Sequence, residues 1–235
     1  ALEVPFISDE VDNVEKNTDG TWKITGASGT VYETKTVLLA TGAGHRKLGV
    51  PGEETLAGAG VSYCATCDGA FFKNRTVAVV GGGDVAVEDA IFLARNCAKV
   101  YLVHRRDFFR AGRALQNRVF ATENIEALTN ATVSEINGDT KVTSVTLLQN
   151  GEEKQLDCNG VFVAVGSVPD TKPLANLVKT DKDGYIIADE SGKTSADGIF
   201  AGGDIRTKAL RQVVTAVSDG ANCVISAEKY LDEKQ

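Results

Sequence analysis

The amino-acid sequence predicts an α/β fold, chiefly because of one segment near its middle. Thr76–Val80 is a valine-rich apolar run that ends at the three glycines Gly81–Gly83. Asp84–Asn96 then has helical spacing of its apolar residues, and Lys99–Val103 is a second apolar run. Strand, helix and strand in this order form a βαβ unit, of the length that two parallel neighbouring strands require.

Two further short strands lead into glycine turns, which supports the same class. Val37–Ala40 runs into Thr41-Gly42, and Ile199–Phe200 runs into Gly202-Gly203-Asp204. Before the first of these, alternating polarity predicts antiparallel strands with turns at Asp19-Gly20 and Ser28-Gly29. The predicted strands of this segment are Val11–Lys16, Trp22–Thr25 and Val31–Thr34.

The remaining elements follow from apolar periodicity and from turn residues. Linkers are expected at about 43–53 and at Val168–Asp170, and a helix at 113–121. A long helix is expected over about Arg211–Leu231. Between the linkers we expect a β-meander with a turn at Asn150-Gly151 and then one buried strand; these strands are Val133–Ile136, Val142–Leu148, Lys154–Leu156 and Val161–Val165.

Composition excludes several classes of function. The 235 residues suffice for one large domain or two ordinary ones, and no apolar run is long enough to span a bilayer. A net charge of −7 argues against a nucleic-acid partner. Five irregularly spaced cysteines do not resemble a secreted disulfide scaffold, so a reducing, cytoplasmic location is expected. Because the chain lacks Met and begins abruptly, we expect it to be truncated or to lack an N-terminal segment.

The glycine turn has the spacing of a dinucleotide-binding turn. Gly81, Gly83 and Ala86 occupy the spaced positions of G-x-G-x-x-A. The first glycine permits the tight turn, the second permits close approach of a pyrophosphate, and the small third residue lets the helix pack on the strand. The alternative is a tight turn without a ligand. The turn follows a strand and opens a helix, which favours the dinucleotide interpretation.

The end of the second strand indicates which coenzyme binds. NAD-selective sites place an acidic residue there, whereas this chain has His104-Arg105-Arg106, with Arg110 following. Guanidinium groups suit a 2′-phosphate, so NADPH is favoured over NADH. The alternative is a solvated basic turn.

Cys64-Ala65-Thr66-Cys67 is a candidate redox pair. Two intervening residues allow a disulfide at a helix start that can cycle with the dithiol, and Asp68 is a candidate acid–base group. The alternatives are half of a zinc site, a structural disulfide and two unreactive thiols. No suitably spaced second Cys or His pair supports zinc. Cys97, Cys158 and Cys223 are expected to be ordinary small residues.

The two other glycine turns could bind a flavin. An Asp after such a turn can accept a hydrogen bond from a ribose or ribityl hydroxyl, and Arg211-Gln212 could then contact a flavin ring or phosphate. Taken alone, these segments are more simply ordinary turns.

Taken together and in order, five segments resemble bacterial-type, low-molecular-weight thioredoxin reductases. They are Cys64–Gly69, Val79–Asp84, His104–Asp107, Gly202–Ile205 and Arg211-Gln212. Ala40-Thr41-Gly42 and Pro51-Gly52-Glu53 also match, so the resemblance covers essentially the whole chain.

The resemblance implies two nested, Rossmann-like, three-layer dinucleotide-binding domains. Residues 48–170 would form an NADPH-binding domain with the redox pair, inserted into an incomplete FAD-binding domain formed by residues 1–47 and 171–235. Two linkers, at about 43–47 and 166–172, would form a hinge about which the domains rotate. The resemblance also implies a homodimer.

The implied electron path runs from NADPH through FAD to the Cys64–Cys67 disulfide and then to thioredoxin. Cys67 would lie nearer the flavin, Cys64 would attack the substrate disulfide, and Asp68 would exchange the proton. Two further groups of residues would bind the cofactors. NADPH is assigned Gly81, Gly82, Gly83, Asp84, Val85, Ala86, His104, Arg105, Arg106 and Arg110; FAD is assigned Thr41, Gly42, Gly203, Asp204, Arg211, Gln212 and Val213.

Departures from the family pattern leave other functions open. The N-terminal glycine motif for FAD is absent from these residues, Val85 replaces a hydroxyl residue, and Phe108 replaces a Glu. One rival is a relative that reduces another protein disulfide. A second, which takes electrons from ferredoxin, is disfavoured by the intact glycine turn and Arg105-Arg106. A third is a non-catalytic module that only binds NADP(H).

Overall fold

A computed structural model describes residues 4–171, 174 and 176–234. The chain divides into two compact units. One is continuous in sequence, from His45 to Gly166, and is called the continuous unit below. The other, the split unit, is formed by the chain up to Gly44 and from Ser167 onward. The assignment of the predicted domains to two different cofactors is not decided by this division and stays a prediction.

The continuous unit is built around a five-stranded sheet whose neighbouring strands all pair in parallel. Val77 and Val79 face one core and Ala78 and Val80 the other, because alternate side chains of a strand point to opposite faces. Both faces are therefore covered, as expected of a parallel sheet. In their order across the sheet, the strands are β6 (Val61–Ser62), β13 (Gly160–Val163), β7 (Thr76–Val80), β8 (Lys99–Val103) and β9 (Ile125–Leu128).

Helices cover one face of this sheet and a β-meander covers the other. Helices α2 (Asp84–Ala94) and α3 (Arg113–Phe120) pack on the first face. The meander consists of β10 (Ala131–Asn137), β11 (Ser144–Gln149) and β12 (Glu152–Asp157). Its predicted turn is correct: Asn150 and Gly151 both have positive φ, of 52° and 88°, which a two-residue hairpin turn requires. The result is the predicted three-layer arrangement.

The split unit contains a small antiparallel sheet and two pairs of strands. The sheet is formed by β1 (Val11–Lys16), β2 (Trp22–Gly26) and β3 (Val31–Thr34), and the parallel pair by β4 (Val37–Leu39) and β15 (Ile199–Ala201). β5 (Ala43–His45) pairs with β14 (Ser167–Pro169), where linkers had been predicted. The last helix, α4, spans Val213–Glu233.

Several predicted bounds were wrong by one or two residues, and the short elements β5, β6, α1 (Ala65–Asp68), β9 and β14 were missed. The last helix begins at Val213 rather than Arg211, because Gln212 is its N-cap and forms a capping box with Thr215. The helix predicted over Asp84–Asn96 ends at Ala94. Strand β9 and the one-turn helix α1 were not predicted, since both are too short to show a period.

None of the described helices is both long and apolar enough to cross a membrane. Within the same residues, no cluster of His, Cys, Asp and Glu side chains has the size of a metal site.

Candidate redox and dinucleotide sites

A disulfide bond joins Cys64 and Cys67, whose Cα atoms lie 5.3 Å apart. Cys64 is the N-cap of α1, and the backbone N–H of Cys67 donates a hydrogen bond to its sulfur over 3.2 Å. Cys64 is partly buried and Cys67 is exposed, so a partner molecule has access to the pair. Cys97, Cys158 and Cys223 are free and buried, and burial raises the pKa of all three thiols.

Ser62 connects the redox pair to the predicted acid–base residue, and sequence reasoning missed it. Its hydroxyl donates to Asp68 Oδ2 over 2.7 Å and accepts a hydrogen bond from the Cys64 N–H over 3.1 Å. The Asp68 N–H donates in turn to the Cys64 carbonyl over 3.1 Å. The side chain and the backbone of Asp68 are therefore each tied to the segment that carries Cys64.

A buried carboxylate supports the segment before the pair. Glu53 is 1% exposed and accepts hydrogen bonds from the N–H groups of Leu48 and Gly49 and from the Tyr63 hydroxyl over 3.0 Å. Burial and the adjacent carboxylate raise the pKa of Tyr63 to about 12, so the hydroxyl stays a donor. The Tyr63 ring also stacks on His45, with ring centroids 5.1 Å apart. Tyr63 is thereby fixed next to Cys64.

A cavity of about 450 Å³ opens at the carboxyl end of β7, within the same unit. It is lined by both cationic and apolar residues, and among these described lining residues none is acidic. Such a cavity suits a ligand with several negative charges and an apolar ring. The lining residues are Arg46, Lys47, Leu48, Val80, Gly81, Gly82, Val103, His104, Arg105, Arg110, Ala131, Thr132, Val133, Ala164 and Val165.

The three glycines of the turn differ in how much space surrounds them: Gly81 and Gly82 are closely packed, whereas Gly83 is open. A Cβ on Gly81 would collide with the Ala164 carbonyl and with Ala86, and one on Gly82 would collide with the His104 ring. On Gly83, by contrast, the nearest atom would be Arg110 Nη2 at 3.9 Å. The space over Gly83 is therefore open, as close approach of a phosphate requires.

The basic residues predicted to select the coenzyme are only partly brought together. Arg105 and Arg110 line the cavity, and the Arg110 N–H donates to the Gly82 carbonyl over 2.7 Å. Arg106 does not line it. His104 is buried, and its pKa is lowered by desolvation and by the neighbouring arginines. Its Nε2 has no hydrogen-bond partner among the described residues, so a ligand in the cavity could supply one.

The first residues of α2 have different environments. Asp84 is exposed and accepts a hydrogen bond from the Gly112 N–H over 2.8 Å, so it ties the basic loop to the helix. Val85 is 63% exposed, and Ala86 is fully buried beneath the turn. The structure thus places Asp84 and Ala86 as supports of the turn.

A second cavity, of about 210 Å³, lies in the split unit. It is lined by Gly42, Gly203 and Asp204 together with Leu38, Ala40, Gly202, Ala216 and Gly220. Asp204 Oδ1 is buried and has no hydrogen-bond partner in the described part of the chain. A carboxylate oxygen in this state is satisfied only by a donor from outside these residues, such as water or a ligand hydroxyl.

A buried ion cluster, which sequence reasoning missed, supports the Gly202-Gly203-Asp204 turn. Arg206 forms two 2.8 Å hydrogen bonds to Asp219, and Lys208 Nζ lies 2.7 Å from Asp219 Oδ2. The same oxygen accepts a hydrogen bond from the Gly203 N–H over 2.9 Å. The Arg206 guanidinium holds the pKa of Asp219 well below its usual range. The turn is therefore fixed by an ionised carboxylate.

The other residues assigned to FAD do not line this cavity. Thr41 donates to the Asp170 carbonyl over 2.8 Å, and the Arg211 guanidinium stacks 4.0 Å from the Tyr185 ring centroid. Gln212 caps α4, and Val213 is 81% exposed.

The disulfide and the cationic cavity both lie in the continuous unit, where the disulfide follows β6 and the glycine turn of the cavity follows β7 of the same five-stranded sheet. This combination is typical of a dinucleotide-dependent disulfide oxidoreductase. Comparison with known proteins agrees. Residues 4–220 match the family described as pyridine nucleotide-disulphide oxidoreductase. The chain belongs to this family and, within it, resembles the thioredoxin reductases.

The named relatives are thioredoxin reductases of similar sequence. The chain is 51% identical over 215 residues to that of Listeria innocua, covering 90% of this chain and 67% of the relative. It is 47% identical to that of Bacillus subtilis, covering 91% and 69%. The crystal structure of the Streptococcus pyogenes thioredoxin reductase is 44% identical, with a TM-score of 0.89 over 96% of this chain and 74% of that one. This chain therefore spans about two thirds to three quarters of their length.

These comparisons confirm the predicted α/β class with dinucleotide-binding domains and the predicted family. Membership places the protein among oxidoreductases that use flavin and nicotinamide cofactors with a redox disulfide. The roles of the individual site residues stay predictions.

Proposed function

We propose that the protein is a thioredoxin-disulfide reductase in which electrons pass from NADPH through FAD to Cys64–Cys67 and on to thioredoxin. The observation that carries the proposal is the Cys64–Cys67 disulfide, which is accessible and has Asp68 beside it. The relatives named above, all thioredoxin reductases, support this choice of partner.

The cationic cavity fits NADPH. Arg105, which lines the cavity, would bind the 2′-phosphate, and the open space over Gly83 suits the pyrophosphate. His104 lines the same cavity, and its buried Nε2, which has no hydrogen-bond partner among the described residues, could bond to the coenzyme. No acidic residue among the described lining residues would repel the phosphates.

The second cavity fits part of FAD. The unpartnered Asp204 Oδ1 suits a ribityl or ribose hydroxyl, and Gly42 and Gly203 leave the backbone open to it. When bound, FAD would supply the two-electron acceptor and donor between NADPH and the disulfide. Asp219 and Arg206 would orient Asp204 by fixing the turn on which it lies.

The residues of the pair then carry out thiol–disulfide exchange. In the reduced protein, the Cys64 thiolate attacks one thioredoxin sulfur, forms a mixed disulfide and releases the other sulfur as a thiolate. Cys67 then attacks Cys64, which restores the Cys64–Cys67 disulfide and releases the second thioredoxin thiolate. Asp68 takes the Cys67 proton and returns it to one leaving sulfur, while the proton that Cys64 released to solvent when it ionised is returned to the other. Two electrons leave the pair and two enter thioredoxin.

A stoichiometric exchange experiment tests this proposal directly. The 235-residue chain is reduced, freed of reductant and mixed with oxidised thioredoxin, and the thiols of both proteins are identified by alkylation and mass spectrometry. We expect the thioredoxin disulfide to be lost and the Cys64–Cys67 disulfide to form in equal amounts. The variants Cys64→Ser and Cys67→Ser are the controls. Loss of the thioredoxin disulfide with either variant, to the extent seen with the unaltered chain, would contradict the assigned pair.

The same experiment separates the rival functions. Oxidised glutaredoxin serves as the comparison substrate, and faster exchange with it would favour another protein partner. A chain that binds NADP(H) but exchanges with neither protein would be a nucleotide-binding module. Assembly as a homodimer stays a prediction from the resemblance.

A further inference from the structure

The cationic cavity has two groups of cations, of which the sequence predicted only one. Arg105 and Arg110 follow β8, whereas Arg46 and Lys47 follow β5, in a segment that the sequence suggested was only a linker. The four side chains line one cavity that has no acidic lining residue in the described part of the chain. The second group therefore needs an explanation of its own.

Arg46 lies on the far side of the glycine turn from Arg105. Its N–H donates to the Gly166 carbonyl over 2.9 Å, and its Cδ lies 3.8 Å from where a Cβ on Gly166 would be. Gly166 follows β13, which pairs with one edge of β7, while Arg105 follows β8 on the other edge. The Gly81-Gly82 turn at the end of β7 lies between the two arginines.

The two cations of this second group differ in their pairing. Lys47 Nζ lies 2.5 Å from Glu54 Oε1, so its charge is already opposed. No carboxylate among the described residues lies within ion-pair distance of Arg46. Of the two, Arg46 has the charge and the donors available for a ligand.

We propose that Arg46 binds the nicotinamide-side phosphate of the dinucleotide. This rests on the proposed function, namely on a 2′-phosphorylated coenzyme in this cavity. With its 2′-phosphate at Arg105 beyond β8, such a molecule crosses the turn at β7 with its pyrophosphate and extends toward β13. Its second phosphate then comes within reach of Arg46, whose planar fork can donate two hydrogen bonds to phosphate oxygens.

Binding of whole and partial ligands to the 235-residue chain tests the assignment. The probes are NADPH, NADH and 2′,5′-ADP, which lacks the nicotinamide half, and dissociation constants are measured by titration calorimetry. Arg46→Gln should weaken NADPH and NADH alike, by about tenfold, and leave 2′,5′-ADP unchanged. Arg105→Gln should weaken NADPH and 2′,5′-ADP but spare NADH. Arg75→Gln, at the opposite end of β7, is the control.

The pattern of losses distinguishes the ways in which the proposal could fail. Loss of 2′,5′-ADP binding in Arg46→Gln would place Arg46 on the adenosine half and overturn it. Unchanged NADPH binding in Arg46→Gln, with a loss in Arg105→Gln, would overturn it as well. If Arg105→Gln binds NADPH as tightly as the unaltered chain, the coenzyme assignment fails, and the role of Arg46 with it.

Discussion

At the scale of single residues, the side chains around the disulfide are held by partners that lie close in space but come from other segments. Ser62 orients Asp68, and Glu53 orients Tyr63 while also holding the backbone of Leu48 and Gly49. The Cys64–Cys67 pair was predictable, because its two cysteines are only three residues apart and can form a disulfide within one turn. Ser62 and Glu53 were not, since an isolated serine or glutamate in the sequence has no signature of what it will contact.

The Tyr63–Glu53 hydrogen bond predicts a measurable contribution to stability. Tyr63→Phe removes the hydroxyl that donates to a carboxylate with 1% exposure. A lost hydrogen bond to a buried charged group should lower the free energy of unfolding by about 1–3 kcal/mol. Urea unfolding measures this.

Tyr32→Phe is the matched control, because the Tyr32 hydroxyl makes no hydrogen bond to a described residue. It should change the unfolding free energy by less than about 0.5 kcal/mol. Equal effects of the two variants would show that the Tyr63 contact contributes nothing.

At the scale of elements, glycine turns at the ends of strands position both cavities. The turn after β7 was predicted because its spacing, its strand and its helix are all local. The turn after β15 was a weaker indication of a cofactor site in the sequence. The residue that fixes its backbone, Asp219, lies on α4 and is distant along the chain. Arg206, Lys208 and Asp219 were missed because a buried ion cluster looks in the sequence like three ordinary surface charges.

This ion cluster predicts a dependence of stability on pH. Asp219→Asn leaves the buried Lys208 without its counter-charge and leaves Arg206 only the exposed Glu190, 3.3 Å away, so it should lower the free energy of unfolding by about 3–5 kcal/mol at neutral pH. The pKa of Asp219 in the folded protein lies below its unfolded value, so its contribution is complete above about pH 4 and is lost as the pH falls further.

The difference between the two proteins should therefore shrink below about pH 4, as measured by chemical unfolding at a series of pH values. Asp232→Asn, an exposed position on the same helix, is the control and should show no such difference. A constant difference at all pH values would contradict the account.

At the scale of the whole molecule, the continuous unit contains both the redox pair and the cationic cavity. Its two hydrophobic clusters are formed by residues between Leu48 and Val165, one on each face of the sheet. The layered architecture was predictable, because the buried strands and the amphipathic spacing lie in the sequence. The pairing of β5 with β14 was not, because three-residue strands within expected linkers have no recognisable period.

A fragment of residues 45–166 should therefore fold alone and bind NADPH. Each layer of its core lies within the fragment, so we expect cooperative thermal unfolding and a dissociation constant within about threefold of that of the 235-residue chain. Calorimetry measures both. A fragment without a cooperative transition would show that the split unit is needed for folding.

The claim on which this account depends is that Cys64–Cys67 is a redox-active pair and not a structural disulfide. Its midpoint potential, obtained by equilibrating the chain with thioredoxin and quantifying both disulfides by mass spectrometry, tests this most directly. Because the disulfide must be readily reduced and the resulting dithiol must still pass electrons to thioredoxin, we expect a two-electron potential within about 60 mV of the roughly −270 mV of thioredoxin. A disulfide that stays closed against fully reduced thioredoxin, with a potential below about −330 mV, would contradict the account.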